Sequence, residues 1–250
     1  IGDVRDKDSI NDAMKGVDIV FHAAALKQVP SCEFFPDQAT STNVLGSKNV
    51  FNSAIENNVS KLVALSTDKA VMPINSMGMT KALMEKMLLS KARNSKHNTV
   101  FSIVRYGNVI YSRGSVLPLF VSQIAKKKNL TITNPDMTRF LISLDDAINL
   151  VFVALNKSNN GDIFIKKSPA ATISELANCV QEIFNSKQRI KFIGIRHGEK
   201  VYETLATKHE LLFSENNKEY FKIKIDNRSL NYDNYFERGN NLNIFSKLKK

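Results

Sequence analysis

The fold turns on one stretch, Lys61-Leu62-Val63-Ala64-Leu65-Ser66-Thr67-Asp68-Lys69. Over residues 61–66 the apolar side chains are consecutive rather than alternating, which suits a strand covered on both faces, as in a parallel sheet. The run then gives way to a hydroxyl, an acid and a base. Upstream, Asp18-Ile19-Val20-Phe21-His22 reads as another buried strand, and residues 99–105 read as a third. Between them, residues 37–57 carry Ala39, Val44, Val50, Phe51 and Ala54 at helical spacing, and residues 81–94 read as a further helix. Strand and helix alternating at this rhythm predict βαβ units. Right-handed crossovers put helices on both faces, so the class is α/β with a doubly wound parallel sheet.

The rhythm breaks after Tyr111. Residues 112–115 read as loop, 116–127 as helix, 129–133 as a short strand and 135–139 as a turn. A helix over 144–155 is opened by Ser143 or Asp145, a strand spans 161–167, and a helix over 173–184 starts behind Thr172-Ile173-Ser174-Glu175. Past Arg189 the apolar pattern thins, and residues 216–243, rich in Asn, Lys and Tyr, read as loop with short extended pieces.

The 250 residues are 43% hydrophobic and 24% charged, which excludes collagen-like, low-complexity and wholly disordered chains. No apolar run approaches the ~20 residues of a membrane span, so no membrane insertion is expected. Two cysteines, Cys32 and Cys179, make neither a disulfide framework nor a metal site, which predicts a reducing cytoplasm and no metal. The net charge of +11 comes from scattered lysines. Only residues 126–128 and 247–250 cluster, without interleaved aromatics, so no nucleic-acid partner is expected. The positive field suits an anionic small substrate.

In an open parallel sheet, ligands bind beyond the carboxyl ends of the strands. Here those ends are Gly2-Asp3-Val4-Arg5-Asp6, His22-Ala23-Ala24-Ala25, Ser66-Thr67-Asp68-Lys69 and Arg105-Tyr106-Gly107-Asn108-Val109. The small alanines admit a flat ligand or simply pack tightly. Asp3 either bonds a ligand edge or caps a turn. Asp68 and Lys69 are either an exposed pair of little weight or an acid and base at work. Ser76-Met77-Gly78-Met79-Thr80-Lys81 follows, with Lys81 one turn beyond Met77. His22 reads as a core histidine bonded to backbone, and His97 and His209 as surface residues.

Ser66-Thr67-Asp68-Lys69-Ala70 belongs to a set. Ala24-Ala25-Leu26-Lys27-Gln28-Val29-Pro30, Arg105-Tyr106-Gly107-Asn108-Val109 with Ser112-Arg113-Gly114-Ser115-Val116, Met137-Thr138-Arg139-Phe140, and Ile195-Arg196-His197-Gly198-Glu199-Lys200 complete it. From Asp3 to about Tyr235 the chain thereby resembles the extended short-chain dehydrogenase/reductase superfamily. Within it, the chain resembles the 4,6-dehydratases that act on UDP-N-acetylglucosamine. The superfamily's Tyr-x-x-x-Lys pair falls on Met77 and Lys81, and a thioether carries no proton. Ser-Met-Gly-Met-x-Lys-Ala is similar to the inverting 4,6-dehydratase/5-epimerases of capsule and O-antigen synthesis. It also occurs in relatives labelled capsular polysaccharide synthesis proteins or UDP-glucose 4-epimerases.

The resemblance implies a Rossmann-like NAD-binding domain over residues 1–112 and 139–168. A smaller α+β domain for the nucleotide sugar covers 113–138 and 169–250. It further implies a tightly held NAD rather than NADP, a UDP-activated amino sugar as substrate, and a homo-oligomer. The implied chemistry is a lyase reaction: oxidation at C4, proton removal at C5 by Lys69, loss of the C6 hydroxyl as water helped by Asp68, and reduction at C6 with C5 inverted. Thr67 bonds near the 4-hydroxyl, and Lys81 holds the nicotinamide ribose. Cofactor contacts fall on Asp3, Val4, Ala23, Ala24, Ala25, Lys27, Asn43, Ser66, Lys81, Tyr106, Asn108 and Val109. Substrate contacts fall on Lys27, Asn108, Arg113, Ser115, Val116, Thr138, Arg139, Arg196, Glu199 and Lys200, with Arg196 and Lys200 on the diphosphate. A UDP-sugar 4-epimerase of the same superfamily is the alternative. None of the ten glycines forms the Gly-x-x-Gly-x-x-Gly loop that cradles a pyrophosphate. The first strand–helix units are therefore expected to precede Ile1, and a non-catalytic fragment is a further alternative.

Overall fold

The computed structural model describes residues 1–93 and 96–226. The first half runs α1 (Lys7–Ala13), β1 (Ile19–His22), α2 (Val29–Phe34), α3 (Pro36–Ala39), a π-helical stretch (Thr40–Gly46), α4 (Ser47–Glu56), β2 (Lys61–Thr67), a 3-10 turn (Asp68–Ala70), α5 (Ser76–Ala92), β3 (Val100–Tyr106) and β4 (Asn108–Val109). Then follow α6 (Val116–Ala125), β5 (Leu130–Ile132), β6 (Thr138–Ile142), α7 (Leu144–Lys157), β7 (Asp162–Lys166), β8 (Ala170–Thr172) and α8 (Ile173–Ile183). The last described elements are β9 (Ile190–Phe192), α9 (Lys208–Leu212), β10 (Ser214–Asn216) and β11 (Tyr220–Ile223).

The main sheet has the order β1-β2-β3-β7-β11-β10. Its first four strands are parallel, with β2 and β3 in register from Lys61 opposite Val100 to Thr67 opposite Tyr106. On one face Leu62, Ala64, Phe101, Ile103, Ile163 and Ile165 pack against Val50, Phe51 and Ala54 of α4 and Met84 and Leu88 of α5. On the other, Val63, Val104 and Phe164 pack against Leu150 and Ala154 of α7. The consecutive apolar residues of β2 thus serve both layers, and each buried leucine or valine contributes roughly 1.5–3 kcal/mol by leaving water. A separate small core joins α6, β5 and α8 through Phe120, Leu130, Ile132, Ala177 and Val180. It stands beside the carboxyl ends of the strands.

Several expectations need correction. Strand β1 pairs only with β2 among the described strands, so Ile19 and Phe21 are exposed rather than buried. Phe21 meets Phe152 edge-on, with ring centres 6.3 Å apart. The helix expected over 37–57 is continuous but widens into the π-helical stretch, where Asn43 serves the neighbouring loop. The turn expected over 135–139 ends early, because Thr138 and Arg139 already pair with Thr172 and Ala171. Among the short extended pieces expected in the segment beyond Asn216, Tyr220–Ile223 is one, and its place is in the main sheet between β7 and β10. The rest of that segment, from residue 227, lies outside the described residues. Residues 214–223, taken above with the nucleotide-sugar domain, therefore pair in the main sheet. The lysine within β11 hid that place: Lys222 is buried, and its ammonium lies 2.9 Å from the buried Asp162 carboxylate.

The helix starts follow their caps. Ser143, not Asp145, accepts from the Asp146 amide, and Thr172 with Glu175 forms a capping box. His22 is a core residue, but its partner is the Ser47 hydroxyl at 2.8 Å rather than backbone. Burial pushes its pKa down to about 3. His97 is half-buried rather than on the surface, with its ring edge-on to Phe101.

Candidate functional site

Strands β2 and β3 end side by side at Thr67 and Tyr106. Beyond β2 the chain tightens into the 3-10 turn, capped by Thr67 through the Lys69 amide. A Cβ at Gly78 would collide with the Lys69 carbonyl oxygen, so only glycine lets the first turn of α5 lie against that turn. Asn75 caps α5 by accepting from the Gly78 amide at 2.8 Å and donates to the Gly198 carbonyl at 2.7 Å. Glu33 accepts from the Ser76 amide at 2.6 Å, and Lys200 Nζ donates to the Val71 carbonyl at 2.8 Å. The loop carrying Arg196 is thus fastened to the start of the helix that carries Met77 and Lys81.

These elements enclose a cleft of about 850 Å³. Lining it are Ala23, Ala25, Lys27, Ser66, Thr67, Lys69, Met77, Lys81, Tyr106, Asn108 and Val109. From the small core and the fastened loop come Arg113, Ser115, Val116, Arg139, Arg196, Glu199, Lys200 and Glu203. The other sequence candidates lie elsewhere. Asp3 is exposed beside Arg5 Nε at 2.9 Å, and those hydrogen bonds hold its carboxyl down at about 2. Val4 packs on Gly46 and the core, and Ala24 is exposed outside the cleft. Asn43 is buried; it accepts from the Leu26 amide at 2.8 Å and donates to the Leu26 carbonyl and Thr80 Oγ1, shaping the loop that follows β1. Thr138 is spent on strand pairing. Asp68 is fully buried behind the wall.

Asp68 and Lys69 are therefore not an exposed pair. Asp68 Oδ1 accepts from Thr67 Oγ1 at 2.9 Å and from Lys69 Nζ at 3.0 Å. Lys69 Nζ also lies 3.3 Å from Glu203 Oε1. Burial raises the Glu203 pKa above the usual carboxylate range, against the pull of Lys69. Lys81 donates to the Leu65 carbonyl at 2.7 Å, and burial draws its pKa down to about 8. Met77 is buried with Val29, Cys32 and Ala39.

Ser66 Oγ, Asn108 Oδ1, Ser115 Oγ and Glu203 Oε2 are buried without a hydrogen-bond partner, and their residues line this cleft. Each unmet group costs about 1–3 kcal/mol, which a polar ligand can recover. With the small Ala23 and Ala25 beside Ser66 and Lys81, that end of the cleft fits a flat, hydroxyl-bearing dinucleotide head. Glu203, Glu33 and Asn75 are the site residues missed in the sequence. Glu203 offered only an acid three residues past Lys200, which looks like any solvated charge. Among the described residues no cluster of His, Cys, Asp and Glu could hold a metal, and no helix is long and apolar enough to cross a membrane.

A doubly wound parallel sheet with such a cleft at its strand ends is the architecture of extended short-chain dehydrogenase/reductases that act on nucleotide sugars. The chain belongs to the polysaccharide biosynthesis protein family, whose profile matches residues 1–225. A Rickettsia bellii protein named UDP-glucose 4-epimerase is 58% identical over 240 residues, covering 96% of this chain and 70% of that protein. The X-ray structure of Pen from Bacillus thuringiensis is 38% identical, with a TM-score of 0.86 over 89% of this chain and 71% of its own. The fold is also that of DesIV, a dTDP-glucose 4,6-dehydratase from Streptomyces venezuelae crystallised with NAD and TYD. There identity is 21% and the TM-score 0.76, over 82% of this chain and 69% of that one.

Proposed function

We propose that this protein holds NAD at the Ala23, Ala25, Ser66 and Lys81 end of the cleft and a UDP-sugar at the Arg196 and Lys200 end, and interconverts the sugar through its 4-ketone. The observation that carries this is the convergence of Lys81, Thr67, Lys69 and Glu203, with the buried Asp68 bonded behind Thr67 and Lys69, on one cleft that also holds Arg196 and Lys200. When bound, the nicotinamide supplies a hydride acceptor and donor. Thr67 Oγ1 takes the proton of the sugar 4-hydroxyl while giving its own to Asp68 Oδ1. This route needs no tyrosine at Met77. Lys81 orients the nicotinamide ribose, Arg196 and Lys200 neutralise the diphosphate, and Asn108, Arg113 and Ser115 bond the sugar or uridine.

Reduction at C4 from the other face makes this a UDP-glucose 4-epimerase, the activity supported by the names of relatives 57–58% identical over 96% of the chain. One observation favours a second outcome. Met77 stands where a 4-epimerase of this superfamily would use tyrosine, while Lys69 lines the cleft as a candidate base for C5 after passing its own proton to Asp68, which lies behind it and can reach the sugar only by relay through Thr67 or Lys69. That outcome is a UDP-N-acetylglucosamine 4,6-dehydratase inverting C5, for surface polysaccharide synthesis. The domain division, a cytoplasmic location and a homo-oligomer belong to the same proposal. Incubation with NAD and each UDP-sugar in D2O separates the outcomes. A 4-epimer without sugar deuterium identifies the epimerase; a 6-methyl product with deuterium at C5 identifies the dehydratase. No NAD binding and no turnover identifies a non-catalytic fragment and sinks both.

A further inference from the structure

Glu203 follows the nucleotide-facing residues in sequence, yet its carboxyl reaches the reacting end of the cleft. Its side chain is 1% exposed, and Oε1 lies 3.3 Å from Lys69 Nζ. Asp68 Oδ1 grips the same ammonium at 3.0 Å. Lysine is a point charge on a flexible four-carbon stem, so a single neighbouring carboxylate fixes it poorly. Two carboxylates from separate segments fix it well. The segment bearing Glu203 is itself pinned around the Lys69 turn: Lys200 Nζ on the Val71 carbonyl, Asn75 on the Gly198 carbonyl, and Tyr202 bridged to Thr138. Residues 196–203 thus join the candidate diphosphate ligands to Lys69.

Resting on the activity proposed above, we propose that ionised Glu203 is a positioning residue that holds Lys69 Nζ toward the sugar, and that a UDP diphosphate on Arg196 and Lys200 tightens this hold through residues 196–203. Glu203 touches neither hydride nor leaving group and adds no chemical step. The groups that face it are Lys69, Asp68 and Arg139. Burial, helped by Asp68, raises its pKa, while Lys69 and Arg139 oppose the rise. As pH falls, Glu203 therefore protonates at a higher pH than a free glutamate, and Lys69 loses one of its two anchors.

The test is Glu203→Gln, which keeps the size and removes the charge. Wild-type kcat should show an acid limb above the ordinary glutamate range. E203Q should lack that limb, with kcat down by about 10–100-fold, as a mispositioned group gives, and KM within about threefold. A readout that needs no turnover is the 15N NMR signal of Lys69 Nζ in protein carrying ζ-15N-lysine, assigned with Lys69→Arg. UDP alone should shift that signal in wild type but not in E203Q. An unchanged acid limb, or the same UDP response in both proteins, overturns the proposal. If wild type turns over no UDP-sugar, the proposed activity fails, while the Lys69 signal still decides the role of Glu203. Should E203Q unfold in a thermal melt, Glu203→Asp replaces it; there the limb should persist at reduced kcat, and a limb lost with kcat intact overturns the proposal.

Discussion

Under the proposed function, Thr67 and Asp68 would carry the acid–base chemistry that the superfamily's tyrosine, replaced here by Met77, would otherwise supply. A thioether at Met77 would leave a bound sugar's 4-hydroxyl without a phenol, and the hydrogen bond from Thr67 to Asp68 would offer another route. Asp68→Asn removes the proton acceptor at nearly constant shape. We expect it to lower turnover at least ~100-fold, in the range typical of a lost general base, with NAD affinity little changed. A variant with wild-type turnover would remove Asp68 from the chemistry. His22 gives a stability prediction of definite sign. Unfolded it titrates near 6.5, and in the fold burial holds it at about 3. Between those values the unfolded chain binds the extra proton, so stability is full above about pH 6.5 and falls as pH drops toward 3. The slope from this residue is at most about 1.4 kcal/mol per pH unit. Urea midpoints at pH 7 and 5 should differ less in His22→Gln than in wild type. These residues were legible unequally. Thr67, Asp68, Lys69 and Lys81 stand at a strand end and one helical turn, which sequence spacing displays. Glu203 reaches Lys69 through a loop whose path no local pattern encodes.

At the scale of elements, the start of α5 decides whether the site assembles. Gly78 lies where a Cβ would strike the Lys69 carbonyl oxygen, so its value is close approach rather than flexibility. Gly78→Ala should push α5 away from the 3-10 turn. We expect a destabilisation of about 1–3 kcal/mol by overpacking, read from denaturant midpoints, with a larger proportional loss of turnover than of NAD binding. Equal stability and turnover would show that the turn can yield. Strand β2 was readable because its apolar run, Leu62 to Leu65, is unbroken and both faces are covered; β3 was readable although Ser102 and Arg105 interrupt its apolar residues. The helix over 37–57 was readable as helix, but its π-helical middle was not. Within it Asn43 bonds across space to the Leu26 backbone, a contact that no local spacing displays.

Across the whole molecule, the sheet is closed by a strand whose place sequence patterning concealed. β11 pairs antiparallel with β7, and Lys222 faces Asp162 inside the closure. Lys222→Met should cost about 3–5 kcal/mol, because it strands a buried carboxylate, and adding Asp162→Asn should restore much of that loss. Denaturation of the single and double variants checks this; a double variant no better than the single would show that the pair does not carry the closure. The parallel order of β1, β2, β3 and β7 was foreseeable from strand and helix alternation. The antiparallel margin was not, since a charged residue at a buried position breaks the apolar signature. That margin also has a consequence in time. A chain leaving the ribosome from its amino end presents β7 long before residues 220–223 exist. Until they emerge, one side of β7 offers open backbone groups to any passing strand. The β7 edge is therefore paired only after residues 220–223 have emerged, and until then it is open to intermolecular pairing.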